Sequence, residues 1–203
     1  YGAYLEVATS NASMTLELHD RLVHFGGLNG TLATAQTVNL DLNSFLATDN
    51  LSARKGDANY SDVQWWLEWY VATGATVVNA TVTVTYNDGT TGALTVQSLA
   101  ATRPASHLIS LNSLVPSVQS GKFIRGIVSV QLSATTGTAG NFGITATRIR
   151  MTLGSPIPNY KFIADWALLG FPEIYNGSCL FPIVLTSTTS SGTIRGGGKI
   201  AHG

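Results

Sequence analysis

The chain has 203 residues, enough for one domain with a real core, and only 11% of them are charged, against about 25% in ordinary soluble domains. Eleven Lys and Arg balance eleven Asp and Glu, so no net field draws the protein to nucleic acid or anionic lipid, and neither is expected as a partner. A single cysteine, Cys179, excludes an internal disulfide, and the longest apolar stretch, Phe162 to Phe171, contains Asp165 and Gly170 and is too short to span a membrane.

The opening stretch, YGAYLEVATSNAS, lacks the basic-then-apolar pattern of a secretion signal. Six Asn-x-Ser/Thr sequences occur, at Asn11, Asn29, Asn50, Asn59, Asn79 and Asn176. With no disulfide the setting reads as reducing or bacterial, and these sites carry no expectation of glycan.

Period-2 alternation dominates the chain from Met14 onward. MTLELHD sets Met14, Leu16 and Leu18 on one side of a strand, and TVNLDL does the same with Val38, Leu40 and Leu42. Between them LHDRLVH offers His19, Asp20 and His24. The two histidines differ by five, face opposite sides of a strand and have no third ligand, so they read as exposed side chains beside an Asp20 to Arg21 surface contact. The Gly-rich HFGGLNGTLATAQ, residues 24–36, reads as a loop.

QWWLEWY reads as a strand rather than a helix, because Trp, Tyr and Val suit a pleated surface. One face carries Val63, Trp65, Leu67, Trp69 and Val71 and is core. The other carries Gln64, Trp66, Glu68 and Tyr70, and there Trp66 and Tyr70 are candidate anchors for a subunit interface, or a platform for sugar rings. VNATVTVTY alternates again, and NDGT after it marks a hairpin that returns through ALTVQSL.

Further strands are expected from His107, Phe123, Phe142 and Cys179. In FGITATRIRMTL the apolar set changes parity between Ala146 and Ile149, which predicts a β-bulge near Thr147. A helix of one or two turns is expected near Asp165 to Leu169. Cys179 itself reads as a small buried apolar residue.

The expected architecture is an all-β antiparallel sandwich over residues 1–189, jelly-roll-like, followed by a flexible Gly-rich arm over 190–203. Arg148 and Arg150 share a strand face, Arg195 and Lys199 lie in the arm, and all four are candidates for pairing with acidic residues of a neighbouring subunit. The run GGGK at Gly196 to Lys199 is no phosphate loop: Ile200 stands where Ser or Thr must reach magnesium, and Thr193 where the first glycine belongs.

No His-Glu-x-x-His, Gly-x-Ser-x-Gly or paired-cysteine spacing occurs, and the carboxylates are too scattered for a glycosidase pair to be argued from spacing. The residues therefore predict no catalytic site, no metal and no cofactor, and a protein that is not an enzyme. A neutral, charge-poor surface also predicts self-association.

Taken together, HFGGLNGTLATAQTVNLDL, QWWLEWYVATGATVVNATVTVTYNDGTTG, TGTAGNFGITATRIR and GTIRGGGKIAHG resemble the small β-rich structural proteins of tailed-bacteriophage particles, in particular capsid decoration or cement proteins. The resemblance lies in style, in Thr/Ala/Gly-rich strands, low charge and arms, and carries no motif residue across. It implies a jelly roll or related sandwich, a homotrimer, made in a bacterial cytoplasm and bound to the major capsid protein or other virion subunits on the capsid surface. The rival readings are a tail or head-fibre subunit, a glycan-binding module that uses Trp66 and Tyr70, and a glycan-active enzyme with a carboxylate pair that spacing does not reveal.

Overall fold

A computed structural model of the chain describes residues 1–137, 140–187 and 192–201. Its strands, in chain order, are β1 (Gly2–Thr9), β2 (Met14–Leu28), β3 (Gln36–Asp41), β4 (Gln64–Trp69), β5 (Val78–Tyr86), β6 (Thr91–Ala93), β7 (Gln97–Leu99), β8 (Leu108–Ser110), β9 (Ile124–Leu132), β10 (Phe142–Ser155), β11 (Phe162–Asp165), β12 (Leu180–Leu185) and β13 (Ile194–Ile200). Among the described residues two single-turn α-helices, α1 (Leu51–Arg54) and α2 (Trp166–Leu169), and three short 3-10 turns interrupt them. The chain is all-β and its sheets are antiparallel, as the alternation predicts.

Two compact units form. One is Leu22–Thr147, the sandwich unit; the other joins Tyr1–Arg21 to Arg148–Gly203, the terminal unit. Both β2 and β10 are long enough to take part in each.

In the sandwich unit one sheet has the order β2-β10-β4-β8 and the other β3-β9-β5-β6, with β7 also on β5. The first strand thus lies beside the last, and the second beside the last but one. Each strand gives alternate residues to one core: Trp65, Leu67, Trp69, Phe142, Ile144 and Ala146 from the first sheet, and Val82, Val84, Tyr86, Ile127, Val130 and Leu132 from the second. Val38, Leu40 and Leu42 join them although the β3 pairing with β9 shifts between Thr37 and Leu40, where Asn39 takes a left-handed backbone with φ 50°. The NDGT hairpin forms as its sequence predicts. Gly89 supplies the positive φ, 85°, and the Asp88 carboxylate accepts from Thr90 N at 3.0 Å.

The terminal unit has a three-stranded sheet, β11-β1-β13, and pairs β12 with the first half of β2 from Leu180 opposite Asp20 to Leu185 opposite Thr15. Its core is small: Leu5, Met151, Ala164 and Phe171, with Leu16, Leu18, Leu153 and Ile174 packed against them. The short helix expected near Asp165 is α2, capped by Asp165 Oδ1, which accepts from Leu168 N at 2.8 Å, and ended by Gly170 at φ 56°.

Several expectations are corrected. Residues 24–28 are not loop but the end of β2, and the supposed arm over 190–203 holds β13, paired with β1 from Ile194 opposite Thr9 to Ile200 opposite Gly2. Glycine makes that pairing possible, since a Cβ on Gly196 would lie 2.5 Å from the Glu6 carbonyl oxygen. The rest of that stretch, 188–191 and 202–203, lies outside the described residues. β10 pairs with β4 without a shift from Phe142 to Thr147, and the change of parity falls past Thr147, where β10 passes from one unit to the other. Val71 lies past the end of β4 and is exposed.

Candidate partner-binding surfaces

The outward face of β4 is the first candidate. Trp66 stands on it and Tyr70 just past its end, but they differ in kind. Trp66 is only 8% exposed and its Nε1 donates to Thr147 Oγ1 on β10 at 2.8 Å, so it has too little free ring face for a sugar to stack on. Tyr70, 37% exposed, lies across Gly143 of β10, where a Cβ would collide with its hydroxyl.

The same face gathers residues far apart in sequence. Thr145 Oγ1 donates to Glu68 Oε2 at 2.5 Å and lies 2.7 Å from His24 Nδ1; His24 Nε2 lies 2.9 Å from the Tyr70 hydroxyl. With Thr145 O–H donating to Glu68, Nδ1–H of His24 donates to Thr145, and Nε2 and the Tyr70 hydroxyl share the last bond. The chain of bonds covers an outer sheet face with polar groups and holds one phenol at the surface.

The interior of the terminal unit accounts for Arg150 and for the LHDRLVH stretch. Asp20 is fully buried, not on the surface. Its carboxylate accepts from Cys179 N and Ser178 Oγ, both at 3.0 Å, and faces Arg150 Nη2 at 3.5 Å. Arg150, 4% exposed, is therefore an internal counter-ion and not a contact for a neighbour. The Arg21 guanidinium stacks on Phe181, 3.9 Å from its ring centroid. Cys179 lends Asp20 its backbone N–H, and its side chain is exposed rather than buried. Arg148 is half-buried. His19 is buried too, with Nε2 2.9 Å from Glu17 Oε2. Among the described residues no group of three His, Cys, Asp or Glu is placed to hold a metal.

Burial holds the His19 imidazole below the ordinary histidine value, against the pull of Glu17 in the other direction, and partial desolvation and Arg103 lower His107 too, although that residue is largely exposed. Both groups take up protons more readily when unfolded. Their contribution is complete above the unfolded value of about 6.5 and is lost as the pH falls through the lowered folded values. The free energy of unfolding should decline between pH 7 and pH 5, with a smaller decline in His19→Gln, as urea titrations across that range will measure. A flat profile, or an unchanged slope in the variant, would contradict the burial of His19.

The second candidate is the outward face of the β11-β1-β13 sheet. Pairing Tyr4 with Asp165 and Lys199, Glu6 with Ile163 and Gly197, and Ala8 with Arg195 puts all of these on one side, with Leu5, Val7 and Ala164 on the other. Glu6 Oε2 receives both Lys161 Nζ and the Tyr4 hydroxyl, and a recess there is lined by Glu6, Val7, Ala8, Lys161, Arg195 and Gly196. Arg195 and Lys199, both exposed, are thus brought onto one strand face, whereas Trp66 and Tyr70 belong to the other unit. Beside this sheet, Ile163, Trp166, Leu168 and Leu169 are exposed within seven residues, Trp166 by 54% and Leu168 by 71%. The sequence does not announce this cluster, because the segment has the apolar composition of a continuous interior stretch.

No family model, no curated protein and no solved structure matches the chain.

Proposed function

We propose that the protein is a non-enzymatic structural subunit of a virus particle, of the capsid decoration or cement kind, that attaches to the major capsid protein and braces the lattice. The observation that carries this reading is the exposed apolar cluster Ile163, Trp166, Leu168 and Leu169, since large side chains concentrated in so short a segment favour a protein partner over solvent. The strand order of the sandwich unit, first beside last and second beside last but one, is compatible with a jelly roll and supports the same reading. So does the balanced, sparse charge, which suits a surface covered in an assembly. A trimer fits this role, because weak contacts repeated by symmetry add up on a lattice. The glycan-module reading is weakened by the burial of Trp66.

Attachment can be measured with particles assembled without the chain, to which purified protein is added. Replacing Trp166 and Leu168 together by Ala should leave the urea midpoint of the free protein almost unchanged, as surface substitutions do, within about 0.5 kcal/mol. It should weaken attachment by tenfold or more, about 1.4 kcal/mol per decade. Undiminished attachment of the variant would remove the cluster from the interface, and failure of the unaltered chain to attach would overturn the reading.

A further inference from the structure

β13 ends its sheet: one edge is paired with β1, and among the described residues no strand borders the other. All of Arg195 to Ile200 is exposed. An edge strand of this kind presents alternate N–H and C=O groups outward, a ready template for another strand. Proteins usually blunt such an edge with a bulge, a proline or charged side chains; IRGGGKI has no proline, the shift in its pairing with β1 falls at its end, between Gly2 and Tyr4, and its charges are Arg195 and Lys199 alone.

Two features say what the edge accepts. On the outer face stand Arg195 and Lys199, four residues apart, with Gly197 between them. On the inner face Gly196 and Gly198 lie opposite Val7 and Leu5, both buried, so β13 covers that side of the small core with backbone alone. A strand laid against β13 would meet two cations on one side and, on the other, Gly196 and Gly198, which carry no side chain to oppose apolar residues of the added strand. A second copy paired antiparallel about Gly197 is disfavoured, because each Arg195 would stand opposite Lys199 of the other copy, like charge against like.

We infer that the free edge of β13 binds an extended segment of another polypeptide by strand addition, the segment carrying acidic residues at positions i and i+4 on one face and apolar residues at i+1 and i+3 on the other. Main-chain hydrogen bonds supply the attachment and the two carboxylates set register and direction. This site is separate from the apolar cluster near α2, and its existence does not depend on the protein being a virion component.

The test uses the full chain and a labelled, end-capped peptide, Thr-Glu-Val-Thr-Val-Glu-Thr. Fluorescence anisotropy should show saturable binding, and amide exchange in 194–200 should slow when the peptide is present. Arg195→Glu with Lys199→Glu, both at exposed positions, should weaken binding at least tenfold, and a peptide with Lys in place of both Glu should bind that variant better than it binds the unaltered chain. The same peptide N-methylated at its three central residues should not bind, because it cannot form the ladder. The inference is overturned by absence of saturable binding, by equal affinity for the Lys peptide or the N-methylated peptide, or by slowed exchange in 194–200 that depends on protein concentration and not on peptide, which would make a second copy the occupant.

Discussion

Replacing Trp65 or Trp69 with Ala lowers the free energy of unfolding by about 3–5 kcal/mol. Both indoles are fully buried in the sandwich core. Trp65 Nε1 donates to the Ile124 carbonyl at 2.9 Å across the two sheets, and Trp69 packs on Phe142 with ring centroids 4.4 Å apart. Truncation therefore leaves a cavity walled by strands that are tied on both sides and cannot close over it. Trp66→Ala falls in a similar range rather than having the mild effect that an outward platform implies, because it loses near-complete burial and the bond to Thr147. Urea unfolding followed by far-ultraviolet circular dichroism, a signal that does not depend on the deleted indole, measures all three. A loss below about 1 kcal/mol for Trp66→Ala would return that side chain to the solvent face.

Asp20→Ala has an effect of the same size on the terminal unit. The substitution leaves the Arg150 guanidinium without its carboxylate in a buried site and removes the acceptor of Ser178 Oγ and Cys179 N, and breaking one partner of a buried pair costs about 3–5 kcal/mol. The expected companion result separates pairing from packing: Asp20→Leu combined with Arg150→Met should recover most of the loss, since an apolar pair of similar volume carries no desolvation cost. A single variant that unfolds at the urea concentration of the unaltered chain would show the pair to be solvated.

The sandwich was legible because its signals are local. Alternation in VNATVTVTY needs only nine residues, and NDGT only four, and both describe β5 and its hairpin correctly. What escaped was set by residues far apart. Nothing near Asp20 announces Arg150 or the Cys179 backbone, so the carboxylate read as a surface group. The Trp66 face could be judged exposed or buried only with Thr147 and its neighbours in place, 81 residues away. The polar chain from Glu68 through Thr145 to His24 spans three strands and shows no spacing signal at all. In β13 the glycines misled for a physical reason: the composition that suits a disordered arm also suits a strand pressed close against another backbone.

The copy number of the chain in gradient-purified particles of its source, counted by quantitative mass spectrometry, tests the central claim most directly. The account predicts that the chain travels with intact particles at a fixed ratio to the major capsid protein, and that particles lacking it lose their contents at a lower temperature. A chain confined to the soluble fraction and absent from the particles would contradict it.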